Sequence, residues 1–132
     1  MKKTILTLMA GVPIFAACKK SDSTHQKTTQ EKVFGKWGLA SIVINDYYNG
    51  TLNSNTYTGV SSDYFDFGSD GKLNIQVGAA ANTSSYSVLN DKYIKINVDS
   101  IEIKTLTDNS FVLYSKQVSG ANYSEVTETL KK

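Results

Sequence analysis

The sequence predicts an all-β domain: a small antiparallel up-and-down β-barrel of about eight strands behind a short N-terminal helical turn. Three observations carry this. Apolar residues recur at period 2 in run after run: Phe65 and Phe67; Leu73, Ile75 and Val77; Ile94, Ile96 and Val98; Phe111 and Leu113. Turn-forming clusters separate these runs at short intervals, so neighbouring strands pair antiparallel. No helical period of useful length appears, and the single proline, Pro13, lies close to the N-terminus. Strands with one apolar face must bury it, and closing a meander into a barrel also removes both sheet edges. A two-sheet sandwich is the alternative. It usually needs longer crossovers, and only one long connecting segment is present, residues 45–63.

The chain has 132 residues, enough for one domain. Residues 1–17 do not belong to it. Lys2 and Lys3 precede an apolar run from Ile5 to Ala17. That run is shorter than the roughly 20 residues of a membrane span and has the flanks of a secretory signal. It ends in Phe15-Ala16-Ala17-Cys18, which resembles the bacterial lipoprotein box, in which the cysteine is acylated and becomes the mature N-terminus. Cys18 is the only cysteine, so it has no disulfide partner. The resemblance implies a cell-envelope protein, most simply at the outer membrane, held by its N-terminal lipid. All 14 basic residues are lysine. Loss of Lys2 and Lys3 would leave twelve lysines against twelve acidic residues. No basic face and no arginine argue for nucleic acid as a partner.

Residues 18–29 read as the lipidated cysteine and a flexible tether, since Lys19 to Lys27 has no apolar residue to bury. The barrel domain spans residues 30–132. Thr28-Thr29-Gln30-Glu31 has the form of a capping box, and Gly35 is a natural helix stop. A helical turn is therefore expected over Gln30 to Phe34, laying Val33 or Phe34 across one end of the barrel. The first strand, Gly35 to Ile44, carries the only tryptophan, Trp37, expected at that closed end. Strands then follow around Phe65–Phe67, Leu73–Val77, Ser84–Leu89, Tyr93–Val98, Ile101–Ile103, Phe111–Lys116 and Tyr123–Lys131. The expected turns are Gly68–Gly71, a small-residue loop over Gly78–Asn82, Asn90-Asp91, Asp99-Ser100, Thr107–Ser110 and Ser119–Asn122. Residues 45–63 are rich in Asn, Ser, Thr and Tyr, with Asn49-Gly50 able to turn a hairpin. With Tyr64, this stretch holds Tyr47, Tyr48 and Tyr57, rings that join an apolar face to a polar tip.

Gly35-x-Trp37-x-Leu39 is similar to the opening motif of the lipocalin superfamily. Phe65-x-Phe67-x-x-Asp70-Gly71-Lys72-Leu73 resembles the strand-turn-strand pattern of lipocalin-like domains in Bacteroidetes lipoproteins. Ile103-x-x-Leu106-Thr107-x-x-x-Phe111-Val112-Leu113 and the closing Glu128 to Lys132 also look like that family. The resemblance covers Val33 to Lys132 and implies a lipocalin-like barrel in which Gly35, Trp37, Asp70 and Gly71 are structural. In lipocalins an arginine packs over the motif tryptophan; here only Lys131 or Lys132 can take that place.

Enzyme chemistry is not expected. A nucleophile needs a base beside it, and the only histidine, His25, lies in the tether. No His or Cys spacing suits zinc. Asp63, Asp66 and Asp70 flank or alternate along one strand, so convergence on calcium is not expected. Glu102 and Glu125 fall on wet faces. No cofactor and no metal are expected. Asp22-Ser23-Thr24 and Asp99-Ser100-Ile101 resemble O-glycosylation sites of exported Bacteroidetes proteins. Two functional readings remain. In one, Phe65, Phe67, Tyr86, Ile94, Ile96, Phe111 and Leu113 line a cavity for a small apolar or amphipathic ligand. In the other, they fill the barrel, and Tyr47, Tyr48, Tyr57 and Tyr64 meet a glycan or an envelope protein.

Overall fold

The computed structural model describes residues 25–132. The signal segment, Cys18, the first part of the tether and Asp22-Ser23-Thr24 lie outside the described residues. Helix α1 is Thr29–Val33, and nine strands follow: β1 Gly35–Tyr48, β2 Thr51–Thr58, β3 Tyr64–Phe67, β4 Lys72–Val77, β5 Ala80–Val88, β6 Tyr93–Ile96, β7 Asp99–Leu106, β8 Ser110–Ser119 and β9 Asn122–Lys131. All pairings are antiparallel. Eight strands close a barrel in the order β1-β3-β4-β5-β6-β7-β8-β9, and β9 returns to pair with β1. The ninth, β2, stands outside the ring. It shares an edge of β1 with β3, β3 pairing Gly35 to Gly38 and β2 pairing Ser41 to Tyr48.

The capping box forms as its residue types dictate. The Thr28 hydroxyl accepts from the Glu31 amide and the Glu31 carboxylate accepts from the Thr28 amide, at 3.2 and 2.7 Å. The helix starts one residue earlier than expected and excludes Phe34, which is exposed; Val33 alone covers the barrel end. The Val33 carbonyl accepts a buried 2.8 Å hydrogen bond from Trp37 Nε1–H, so the one polar atom of the indole is satisfied inside the core. Trp37, Phe67, Leu73, Ile94, Phe111, Leu113 and Leu130 are fully buried around it. Phe111 lies 5.4 Å from Trp37 and 5.6 Å from Phe67, and Tyr86 meets Phe67 edge-on at 5.1 Å. Lys132 takes the place over the indole, with Nζ 4.1 Å from the ring, and also reaches the Phe34 carbonyl at 3.2 Å. Lys131 stays exposed on the surface.

Three connections differ from the sequence expectation. Residues 45–63 do turn a hairpin at Asn49-Gly50, as their sequence allows, but its arms are regular paired strands and not a long irregular connection. β1 continues to Tyr48, and Asn49-Gly50, with φ of 50° and 79°, turns a two-residue hairpin into β2. The backbone of β1 is held there on both sides, by β2 and β9, and this overrides the polar composition. β5 begins at Ala80, because Val77 pairs with Ala80 and only Gly78-Ala79 turn. The β6–β7 turn falls at Asn97-Val98, two residues early. Asn97 adopts φ 53°, and its side chain accepts from the Ser85 amide at 3.1 Å. Val98, expected inside, is 84% exposed.

Candidate functional site

The barrel has two unlike ends. At the closed end, beneath α1, the interior is filled. Toward the other end, Ile42, Ile75, Val77, Ile96 and Ile101 are only partly buried against the core. Beyond this rim β1, β2, β8 and β9 run on as two joined hairpins, β1–β2 and β8–β9. The Asn49 amide donates to Asn122 Oδ1 at 3.0 Å and pins one turn against the other. The chain enters at α1, so these tips lie at the end remote from the tether.

The seven residues expected to line a ligand cavity all face inward, and they are core: Phe67, Ile94, Phe111 and Leu113 are fully buried, Phe65 and Tyr86 nearly so, and Ile96 is partly buried. The four tyrosines do not form one surface. Tyr47 stacks on Tyr123 of β9 with ring centres 5.0 Å apart and 13° between planes. Tyr48 is 62% exposed at the hairpin tip. Tyr57 donates its hydroxyl to Asp63 at 2.7 Å, and Tyr64 lies under the Lys36 ammonium at 3.6 Å. Thus Tyr47 and Tyr48 are neighbours at the tip on opposite faces of β1, Tyr57 lies on β2 outside the ring, and Tyr64 belongs to the barrel wall.

Asp63 adds to the β1 ladder in holding β2 against the barrel. Only 1% exposed, it accepts from the Val60 amide, the Tyr57 hydroxyl and the Gly78 amide, at 2.9, 2.7 and 2.9 Å. These donors stabilise the ionised form, the Val60 amide first, and hold its pKa below the usual carboxylate range. The same contact, through Asp63, raises the Tyr57 hydroxyl. Gly59 completes the join, since any side chain there would strike the Leu39 carbonyl. The sequence offered only a weak sign of this role, an aspartate just before an apolar strand. Asp70, by contrast, caps the β3–β4 turn as expected, accepting from the Lys72 amide at 3.1 Å beside Gly71 at φ 76°.

A second carboxylate was legible but unread. Along β9, Leu130 is a core residue, so period 2 puts Glu128 on the same inward face. Glu128 pairs with Ile42 on β1 and Leu113 on β8. Burial among apolar neighbours pushes its pKa up to about 7. Glu125, on the outward face, accepts from Lys116 and Tyr114, both at 2.9 Å, and stays ionised. Among the described residues no group of three or more His, Cys, Asp or Glu converges to hold a metal ion.

No family model matches the chain, and no curated protein or solved structure matches it significantly.

Proposed function

We propose that this chain is a lipid-anchored, lipocalin-like, non-enzymatic protein of the cell envelope that meets a partner through the hairpins at its open end. One observation carries the reading. All eight residues of β2 are exposed, and among the described residues the strand is paired on one side only, along β1. Natural edge strands are shielded by lysine, proline or inward charges. Thr51-Leu-Asn-Ser-Asn-Thr-Tyr-Thr58 has none of these. A free, uncharged edge at the end remote from the tether suits capture of another molecule. The position of His25, exposed and 3.4 Å from Glu31, is that of a surface residue and fits a non-catalytic role.

The test is site-specific photo-crosslinking in the native envelope. Probes at Tyr48 and Ser54 should give discrete adducts that a probe at Ser87, exposed on β5, does not. Equal labelling from all three positions, or none from the hairpin, contradicts the reading. A second reading, a carrier of a small amphipathic molecule, is favoured by one feature: Glu128 on the inward face beneath the partly buried apolar rim.

A further inference from the structure

The two hairpin tips enclose a cleft of about 370 Å³ between β1, β8 and β9, within the roughly 300–1,000 Å³ usual for small-molecule sites. Strand register orders its lining. Asp46 of β1 stands opposite Ser124 of β9, and Ser124 stands opposite Gln117 of β8. One row across three strands therefore presents a carboxylate, a hydroxyl and an amide, with neighbouring Cβ atoms about 4.5–5.5 Å apart. Two residues further along these strands come Tyr48, Asn122 and Ser119, on the same face by period 2. Asn122 accepts the Asn49 amide through its oxygen, which fixes its orientation and leaves its two N–H donors for the cleft. Tyr48 supplies an exposed ring beside this polar row, and Tyr47, Tyr123 and Val118, the neighbouring row across the same strands, make the rest of the lining mainly apolar.

Among the described residues no lysine lines the cleft, so it is not built for phosphate or carboxylate. Among the described residues histidine and cysteine are missing from it too, and Asp46 is its single charged group. A rigid ligand bearing several neutral hydroxyls on one edge and C–H groups on a flat face meets both halves of this lining. We propose that the cleft is a subsite for a neutral saccharide, one pyranose ring stacking on Tyr48 while its hydroxyls bond Asp46, Gln117 and Asn122. This rests on the open end being the contact surface and names what that surface takes.

Calorimetry on the full-length lipoprotein, in a detergent without a sugar headgroup, tests it with cellohexaose, mannohexaose and chitohexaose. At least one should bind, and Tyr48→Ala or Gln117→Ala should weaken it tenfold or more. Leu52→Ala, exposed on β2 outside the cleft, should leave it unchanged. Tyr48 is exposed enough that its variant folds, which an unchanged melting temperature checks. No binding of any of the three at millimolar concentration overturns the proposal, as does binding that Tyr48→Ala and Gln117→Ala leave intact. If saccharides fail while the photo-probe at Tyr48 still gives a discrete protein adduct, the saccharide falls and the contact surface stands. If both fail, the contact surface falls too.

Discussion

Glu128 is the side chain inside the barrel that ties its stability to pH near neutrality. Its folded pKa of about 7 is raised from an ordinary 4.5, because the charged form is desolvated between Ile42 and Leu113. The folded barrel thus keeps a proton that the unfolded chain releases. The resulting stability is fully present below about pH 4.5 and is lost as pH rises through 7. The loss is about 3 kcal/mol, enough to lower the melting temperature by on the order of 10 °C between pH 5 and 8. Glu128→Gln should flatten that slope and stabilise the protein at pH 8, measured by thermal unfolding across the range. Asp63 acts with the opposite sign: its pKa is depressed, so its contribution is present above the usual carboxylate range and fades as pH falls below it. At the closed end Trp37→Ala removes a fully buried ring and should cost about 3–5 kcal/mol. Lys132→Ala removes the ammonium over that ring, together with its stem and its reach to the Phe34 carbonyl, and should cost at most about 1 kcal/mol. A loss of equal size in the two variants would mean that the indole is not sealed by its apolar neighbours.

Among the elements, the β1–β2 hairpin depends on a few contacts beyond its own ladder. Asp63→Ala strips the partner from the Gly78 and Val60 amides and from the Tyr57 hydroxyl. Exchange at the Gly78 amide should then rise at least about tenfold, with the core amides little changed. Uniform acceleration everywhere would instead make Asp63 part of the global fold. The strands around the core were legible because Phe65, Phe67, Leu73, Ile94, Phe111 and Leu113 each report burial through alternation, and a closed antiparallel ring follows from that. The turns at Asn49-Gly50 and Ser119–Asn122 were legible, but strand β2 and the start of β5 were not. Residues 51–58 and 80–83 have both faces wet, so no side-chain period marks them as strands. Val98 misled for a related reason. It continued an apolar alternation that the αL conformation of Asn97 breaks. The cleft was half legible: Tyr47 and Tyr48 stood out by residue type, whereas Gln117, Asn122 and Ser124 join them only through β8–β9 pairing far along the chain.

At the scale of the whole molecule the barrel is polar in its organisation. The chain enters beneath a filled, aromatic-sealed end, and its exposed hairpins stand at the other. If Cys18 is acylated, Cys18→Ala should move the protein from the membrane to the soluble fraction on flotation, and a variant that still floats would break the link between anchor and orientation. Protease should cut before α1, where residues 25–28 are exposed, and leave a resistant fragment beginning near Thr28. The division between a sealed end and an open edge is itself measurable by residue-resolved hydrogen exchange on the full-length lipoprotein. Amides of Trp37, Phe67, Leu73, Phe111 and Leu130 should exchange only through global unfolding, while the amides on the free edge of β2, Thr51–Thr58, should exchange orders of magnitude faster. Slow exchange throughout β2, equal to that of Trp37 and Phe111, would mean that the edge is already covered and is not offered to a partner.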